Sequence, residues 1–317
     1  MRKEILMVCL FISSIFLASI SCFSQKGPLT LGDENAIVND LTSVPGKDWI
    51  AASSLDWVQV WDYNKKSLVM SWQVSNILTI RAKNNNLAGV SKDGNLYIWN
   101  LVSGQQIIKA KITNSPLISL SWNDSTFLFI GSDDGQIIKF DLMSSKIETI
   151  EKTDQPITAL ACIEGTLMFS GNSKGKLTSR NVVDLSKEFS YGGHRNWIRT
   201  IKVARDGKFF VSAGDDEYLK WWKIGQLDVP RMKIRVKGWI TCADYEKLEK
   251  EVTALGTSNG DVQIVTTFGK YRHHFKSMIN AVILLRKDSP QIELAVATHG
   301  QGIKLIEAIG MKFNESK

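Results

Sequence analysis

The chain has 317 residues, with 44% hydrophobic and 22% charged residues, a balance that excludes a disordered, collagenous or polytopic membrane protein. Lys and Arg exceed Asp and Glu by 39 to 32, a net charge of +7, too mild a basicity to imply a nucleic-acid partner. Ten Trp and 23 Gly against six Pro point to many turns and recurring aromatic positions.

The first element in chain order is a leader. Arg2 and Lys3 form a short positive segment, and Ile5 to Ile20 is an uncharged, mostly apolar run. Small and polar residues follow at Ser21, Cys22, Ser24 and Gln25. This layout reads as a secretory signal peptide over residues 1–24, because a membrane span needs about 20 apolar residues. Cleavage after Ser24 is one reading. Lipidation at Cys22, preceded by Ser19-Ile20-Ser21, is the alternative and supplies the one route to a membrane. Either way the expected location is exported, in the periplasm or cell envelope. Only Cys162 and Cys242 remain beyond the leader, and they read as small buried hydrophobes rather than a disulfide or a zinc site.

From residue 34 onward the chain repeats. Residues 88–100, 130–141 and 212–223 each carry an apolar strand end, a Gly/Ser/Asp turn, and an alternating strand that ends in an aromatic and a polar residue. Weaker copies lie at 51–62, 170–181, 256–266 and 297–307. The turns fall at Asp56, Gly94, Gly135, Gly175, Glu217, Gly260 and Gln301, spaced 38 to 43 residues apart. A period of roughly 40–45 residues with four short strands per unit is the propeller signature. Period-two alternation, as in Ile198 to Val203, supports strands throughout. The segment from Tyr245 to Val252 reads as a long loop or one helical turn.

The fold class is therefore all-β, a seven-bladed β-propeller of four-stranded antiparallel blades. The propeller domain covers residues 25–317. Its blades lie near 34–75, 76–115, 116–155, 156–193, 194–236, 237–276 and 277–310. The last is closed by residues 28–33, because the polar Phe313 to Lys317 tail suits an outer strand poorly. Pro28 to Leu31 is expected to pair with Ile303 to Ile306.

Gly193-His194, Arg205-Asp206-Gly207, Asp216 and Trp222 stand at the spacing of the WD-repeat (tryptophan–aspartate repeat) family, which this chain resembles over roughly residues 28–308. Lys223 departs from the Asp that the family prefers after the Trp, and only one repeat has Gly-His. The resemblance implies a buried hydrogen-bonded set of His194, Ser212, Asp216 and Trp222 that fixes the blade rather than catalyses. The quinoprotein-type propeller repeat is the alternative. Residues 131–141 fit it equally well, and Trp72, eleven residues after Trp61, resembles its docking tryptophan.

Propeller enzymes usually place their chemistry at the central channel. The channel positions read from the repeat register are Asn39, Leu78, Ile118, Thr158, Arg199, Thr241 and Asn280. This set contains no carboxylate and no His, so it offers neither a metal site nor an acid/base pair. No catalytic residue, metal or cofactor is assigned. His273-His274 point to opposite faces of a strand. Asp133-Asp134 and Asp215-Asp216 occupy equivalent turns and read as turn chemistry. Arg231, Lys233, Arg235 and Lys237 alternate with apolar residues and read as a charged edge strand, or as a patch for an anionic partner.

The loops holding Arg195 and Trp197, and Lys237 to Trp239, share one rim with the turns of Asp133 and Asp215. Trp and Arg are common anchors of interfaces, so the candidate binding residues are Arg195, Trp197, Arg199, Asp215 and Trp239. The expected function is a non-enzymatic, protein-binding scaffold of the cell envelope, monomeric, with unidentified protein partners and no nucleic acid. A propeller enzyme, or a quinoprotein-type envelope assembly lipoprotein, is the competing reading.

Overall fold

Apolar residues recur with period two along short runs rich in Val, Ile, Phe and Trp, and each run becomes one strand of a blade. A computed structural model describes residues 28–247, 251–266, 269–286 and 292–308. The leader and its cleavage or lipidation site at Cys22 lie outside these residues, as does the Phe313 to Lys317 tail.

Seven antiparallel sheets of four strands each form the seven-bladed propeller. The innermost strands are Val38–Val44, Ile77–Lys83, Leu117–Trp122, Ile157–Ile163, Ile198–Val203, Ile240–Lys247 and Ile279–Arg286. Blade five, the most informative, continues with Phe209–Gly214, Tyr218–Lys223 and Met232–Arg235. The outer strand of blade seven is Leu29–Leu31. It pairs antiparallel with Ile303–Ala308, Leu29 opposite Leu305 and Leu31 opposite Ile303. Leu31 is buried in the core shared by blades seven and one, so strand pairing and apolar burial close the ring together.

A single blade buries neither face alone, and each apolar cluster joins two neighbours. Val58 of blade one packs with Ile77 and Trp99 of blade two. Phe169 of blade four packs with Ile198, Phe210 and Trp222 of blade five. Trp72 donates its indole N–H to the Gly104 carbonyl of the next blade at 2.8 Å and lies against Trp99, centroids 5.4 Å apart. The polar residue after the strand-end aromatic also has a local cause. The side chains of Asn100, Asp141 and Asn181 each accept two backbone N–H groups of the following turn, an Asx turn that starts the outer hairpin.

One expectation is corrected. Tyr245 to Lys247 and Glu251 to Val252 are strand rather than loop or helical turn. Tyr245 pairs with Thr253, and Lys247 with Glu251, as a continued hairpin of blade six. The charged residues there suggested a loop, but Tyr245 is buried and its hydroxyl donates to Glu251 at 3.0 Å.

All seven inner strands carry a register shift at the same place, between residues 38 and 40, 77 and 79, 117 and 119, 157 and 159, 198 and 200, 240 and 242, and 279 and 281. The skipped residues are Asn39, Leu78, Ile118, Thr158, Arg199, Thr241 and Asn280. A bulge re-aims its side chain, and these seven line the central channel, a cavity of about 290 Å³.

Candidate functional site at the blade five rim

The bulges support a ring of bonds between blades. Asn39 donates to the Ile77 carbonyl at 2.9 Å, Thr79 to Ile118 at 3.0 Å, and Ser119 to Ile157 at 2.7 Å. Thr158 donates to Ile198 at 2.6 Å, Thr241 to Ile279, and Asn280 to Val38 at 2.8 Å. Each bond satisfies a carbonyl that heads the next blade. Among the described residues, blade five alone contributes no such bond to its successor.

Its bulged residue, Arg199, turns back into its own blade. The guanidinium donates in bidentate fashion to Asp215, at 2.8 and 2.7 Å, and sits over the Trp197 ring, 4.4 Å from the centroid. Planar stacking and forked pairing are what Arg offers and Lys does not. Arg199, Trp197 and Asp133 line the upper mouth of the channel.

The turn beneath them is also distinctive. Where other blades end the second strand in Ser54, Ser91, Ser132, Asn172, Thr257 or Thr298, blade five has Gly214. A Cβ there would lie 1.8 Å from the Trp197 carbonyl oxygen, so only glycine lets that loop seat directly on the turn. The turn is held instead by Asp216. Its carboxylate bonds His194 Nδ1 at 2.8 Å and accepts the N–H groups of Arg195 at 3.1 Å and Tyr218 at 3.2 Å. His194 Nε2 lies 2.7 Å from the Ser212 hydroxyl, which accepts the Trp222 indole N–H at 2.8 Å. His194, Ser212, Asp216 and Trp222 thus form one buried chain. Burial pushes the His194 pKa below its ordinary value, against the opposing pull of Asp216. Hydrogen bonds from His194 and the backbone hold Asp216 below the usual carboxylate range despite its burial.

Around the same face, the residue before the inner strand of blades two to seven accepts a backbone N–H from a turn, and its identity changes by blade. Blades three and four have Pro116 and Pro156, whereas blades five, six and seven have Trp197, Trp239 and Met278. Trp239 is 54% exposed and Met278 36%, while Trp197 is half-buried. Leu55, 53% exposed, extends the arc to blade one. Trp197 and Trp239 were legible as loop aromatics. Met278 and Leu55 were missed, because a single Met or Leu in a loop carries no signal until the blades are aligned in space.

The remaining sequence features resolve as local pairs. Asp134 accepts from Ser132, Gln136 and Lys152, and despite some burial its pKa is held at about 2. Arg231 and Arg235 pair with Glu251 and Glu217, and Lys233 lies over Tyr218, so most of the alternating positive stripe is neutralised locally. His274 bonds Asp261 at 2.9 Å, while its neighbour His273 packs edge-on against Phe275. Burial raises the thiol pKa of both Cys162 and Cys242 to about 12.

The channel lining does contain carboxylates, Asp40 just beside the bulged set and Asp133 in a turn. Asp40 pairs with Arg81 at 2.6 Å, and Asp244 lies 3.9 Å from Lys202. Asp40 falls one residue after its bulge, and Arg81, Lys202 and Asp244 three residues after theirs. A register that follows one residue per blade passes over all four. Among the described residues, no group of three His, Cys, Asp or Glu side chains is placed to hold a metal ion.

Comparison with known proteins adds a family match over one segment and supports the fold. The model of the WD domain, G-beta repeat, matches residues 185–223, the segment that carries the His194 set. The chain is 23% identical to apoptotic protease-activating factor 1 of Rattus norvegicus over 61% of its own length and 16% of that protein. It is 26% identical to anaphase-promoting complex subunit cdh1 of Dictyostelium discoideum over 46% of its length and 20% of that protein. The matched region therefore spans a fifth or less of these relatives. Two solved structures share the fold at 14% identity. The RRP9 WD40 repeats give a TM-score of 0.76 over 88% of this chain and 96% of that one. U3-55K gives 0.73 over 88% and 98%.

Proposed function

We propose that this seven-bladed propeller, similar to WD-repeat proteins in sequence and fold, is a non-enzymatic scaffold that binds a protein partner through the rim of blades five to seven. WD40 relatives are generally non-catalytic scaffolds that bind protein partners. The observation that carries the reading is blade five's departure from the inter-blade ring. Arg199 does not make the inter-blade bond that Asn39, Thr158, Thr241 and Asn280 make from the same position, and stands, held by Asp215 and Trp197, beside a row of exposed apolar side chains. Exposed Trp and Met next to a rigid, forked Arg is the composition of an interface core. The leader-like residues 1–24 favour an exported, envelope location, and a mature terminus at Gln25 or an acylated Cys22 on mass spectrometry would bear this out, while an intact Met1 would refute it.

The test is site-specific photo-crosslinking in cells. A crosslinker at Trp239 or Arg195 is expected to trap one discrete species that is lost in the Trp197→Ala/Arg199→Ala variant. A crosslinker at Met143 or Val183, both 87% exposed in the outer hairpins of blades three and four, is expected to trap none of it. The same species trapped from Met143 and Val183, and not from Trp239, overturns the assignment.

A further inference from the structure

We propose that the channel contains a binding site for a small monocarboxylate anion, built by Lys202 of blade five and Arg81 of blade two. The site is independent of the rim and does not rest on the scaffold reading.

Two cations line the same cavity of about 290 Å³, and both have donors to spare. The nearest carboxylate to the Lys202 ammonium is Asp244, 3.9 Å away, beyond hydrogen-bond reach. Among the described residues, no acceptor takes any of the three N–H groups of Lys202. Arg81 uses Nη1 on Asp40 and on the Ile80 carbonyl, while its Nε and Nη2 bond no described residue. The two carboxylates are committed elsewhere. Asp40 accepts the backbone N–H groups of Leu41 and Ile80, at 2.9 and 3.0 Å. Asp244 accepts that of Leu284 at 2.9 Å. Both therefore serve as clamps between adjacent blades, and their remaining capacity does not satisfy the cations.

Carboxylate is the fitting chemistry. The four side chains sum to zero charge, so the unused N–H donors rather than net charge favour an anion, and a monoanion leaves the cluster at −1 where a dianion would leave it at −2. Charge-assisted N–H···O⁻ bonds from an ammonium and a guanidinium are strong in such a cleft. A cavity of about 290 Å³, well above what a single water needs, accommodates a carboxylic acid of a few carbons. Access is from above. Lys83 and Glu164, from blades two and four, meet at 2.6 Å across the lower opening. The α-carbon of Lys202 lies three residues along the strand from that of Arg199, about 10 Å below the mouth. Burial and the nearby Arg81 both depress the Lys202 pKa against the pull of Asp244, the environment that an entering anion relieves.

Titration of the protein with ¹³C-acetate at constant ionic strength, balanced with chloride, tests this. A saturable acetate shift is expected in the wild type and in Val183→Ala, an exposed change in the outer hairpin of blade four, with binding weakened about tenfold or more in Lys202→Met. A non-saturating shift, or one unchanged in Lys202→Met, overturns the proposal. A second readout needs only the wild type. Acetate is expected to protect Lys202, and not exposed Lys92, from reductive methylation followed by peptide mass spectrometry. Equal labelling of Lys202 with and without acetate overturns the proposal even if Lys202→Met fails to fold.

Discussion

Replacing Asp216 by Ala is expected to destabilise the propeller by about 2–4 kcal/mol. The side chain of His194 is fully buried, and loss of the carboxylate leaves Nδ1 without a partner in a site that water does not reach. An orphaned buried donor costs about 1–3 kcal/mol. The Tyr218 N–H, partly buried, loses its acceptor as well, and the blade five turn loses the group that replaces the Ser, Thr or Asn of other blades. The exposed Arg195 N–H rehydrates and adds little. Equilibrium unfolding in urea, followed by tryptophan fluorescence, measures the change. With a urea dependence of roughly 2–3 kcal/mol per molar, the midpoint falls by about 1 M. Asp215→Ala in the same turn is the control, because its ion pair to the half-exposed Arg199 is worth about 0–1 kcal/mol. The reasoning fails if Asp216→Ala costs under about 0.5 kcal/mol, or no more than Asp215→Ala.

Three further outcomes are expected. His194 has a folded pKa below its ordinary 6.5, so the unfolded chain binds the proton more readily. Its stability contribution is complete above pH 6.5 and falls as the pH drops through it, by up to about 1.4 kcal/mol per pH unit; His194→Asn should flatten urea midpoints between pH 7 and 5, and an unchanged slope counts against the buried neutral imidazole. Gly171→Ala places a Cβ 2.7 Å from Cγ2 and 2.9 Å from Cβ of Ile198, an overpacking of blades four and five that should cost about 1–3 kcal/mol; thermal unfolding within a degree of wild type would show that the blades separate freely. Deleting Pro28 to Asp33 removes Leu31 from the core and unpairs Ile303–Ala308, a loss of about 3–5 kcal/mol; retention of the wild-type urea midpoint would show that the ring closes without this strand.

The sequence by itself determined the architecture. Period-two strands and a turn every 38 to 43 residues admit little but stacked blades, because a strand's alternation and a blade's length are local properties written residue by residue. Gly193-His194, Asp216 and Trp222 were equally visible, since their spacing spans a single repeat. Tyr245 to Val252 misled because its charges resemble a loop until the Tyr245–Glu251 bond and the partners across the hairpin are known. The tertiary structure alone decided what the channel contains. Whether Asp40 faces Arg81, or Lys202 stops short of Asp244, residues 41 and 42 positions apart, depends on how the blades meet around one axis. A bulge shifts each inner strand by one residue, so no repeat register shows which neighbours also reach the cavity. The arc of Trp197, Trp239, Met278 and Leu55 has the same origin. Those residues lie far apart along the chain, and ring closure makes them neighbours on one face.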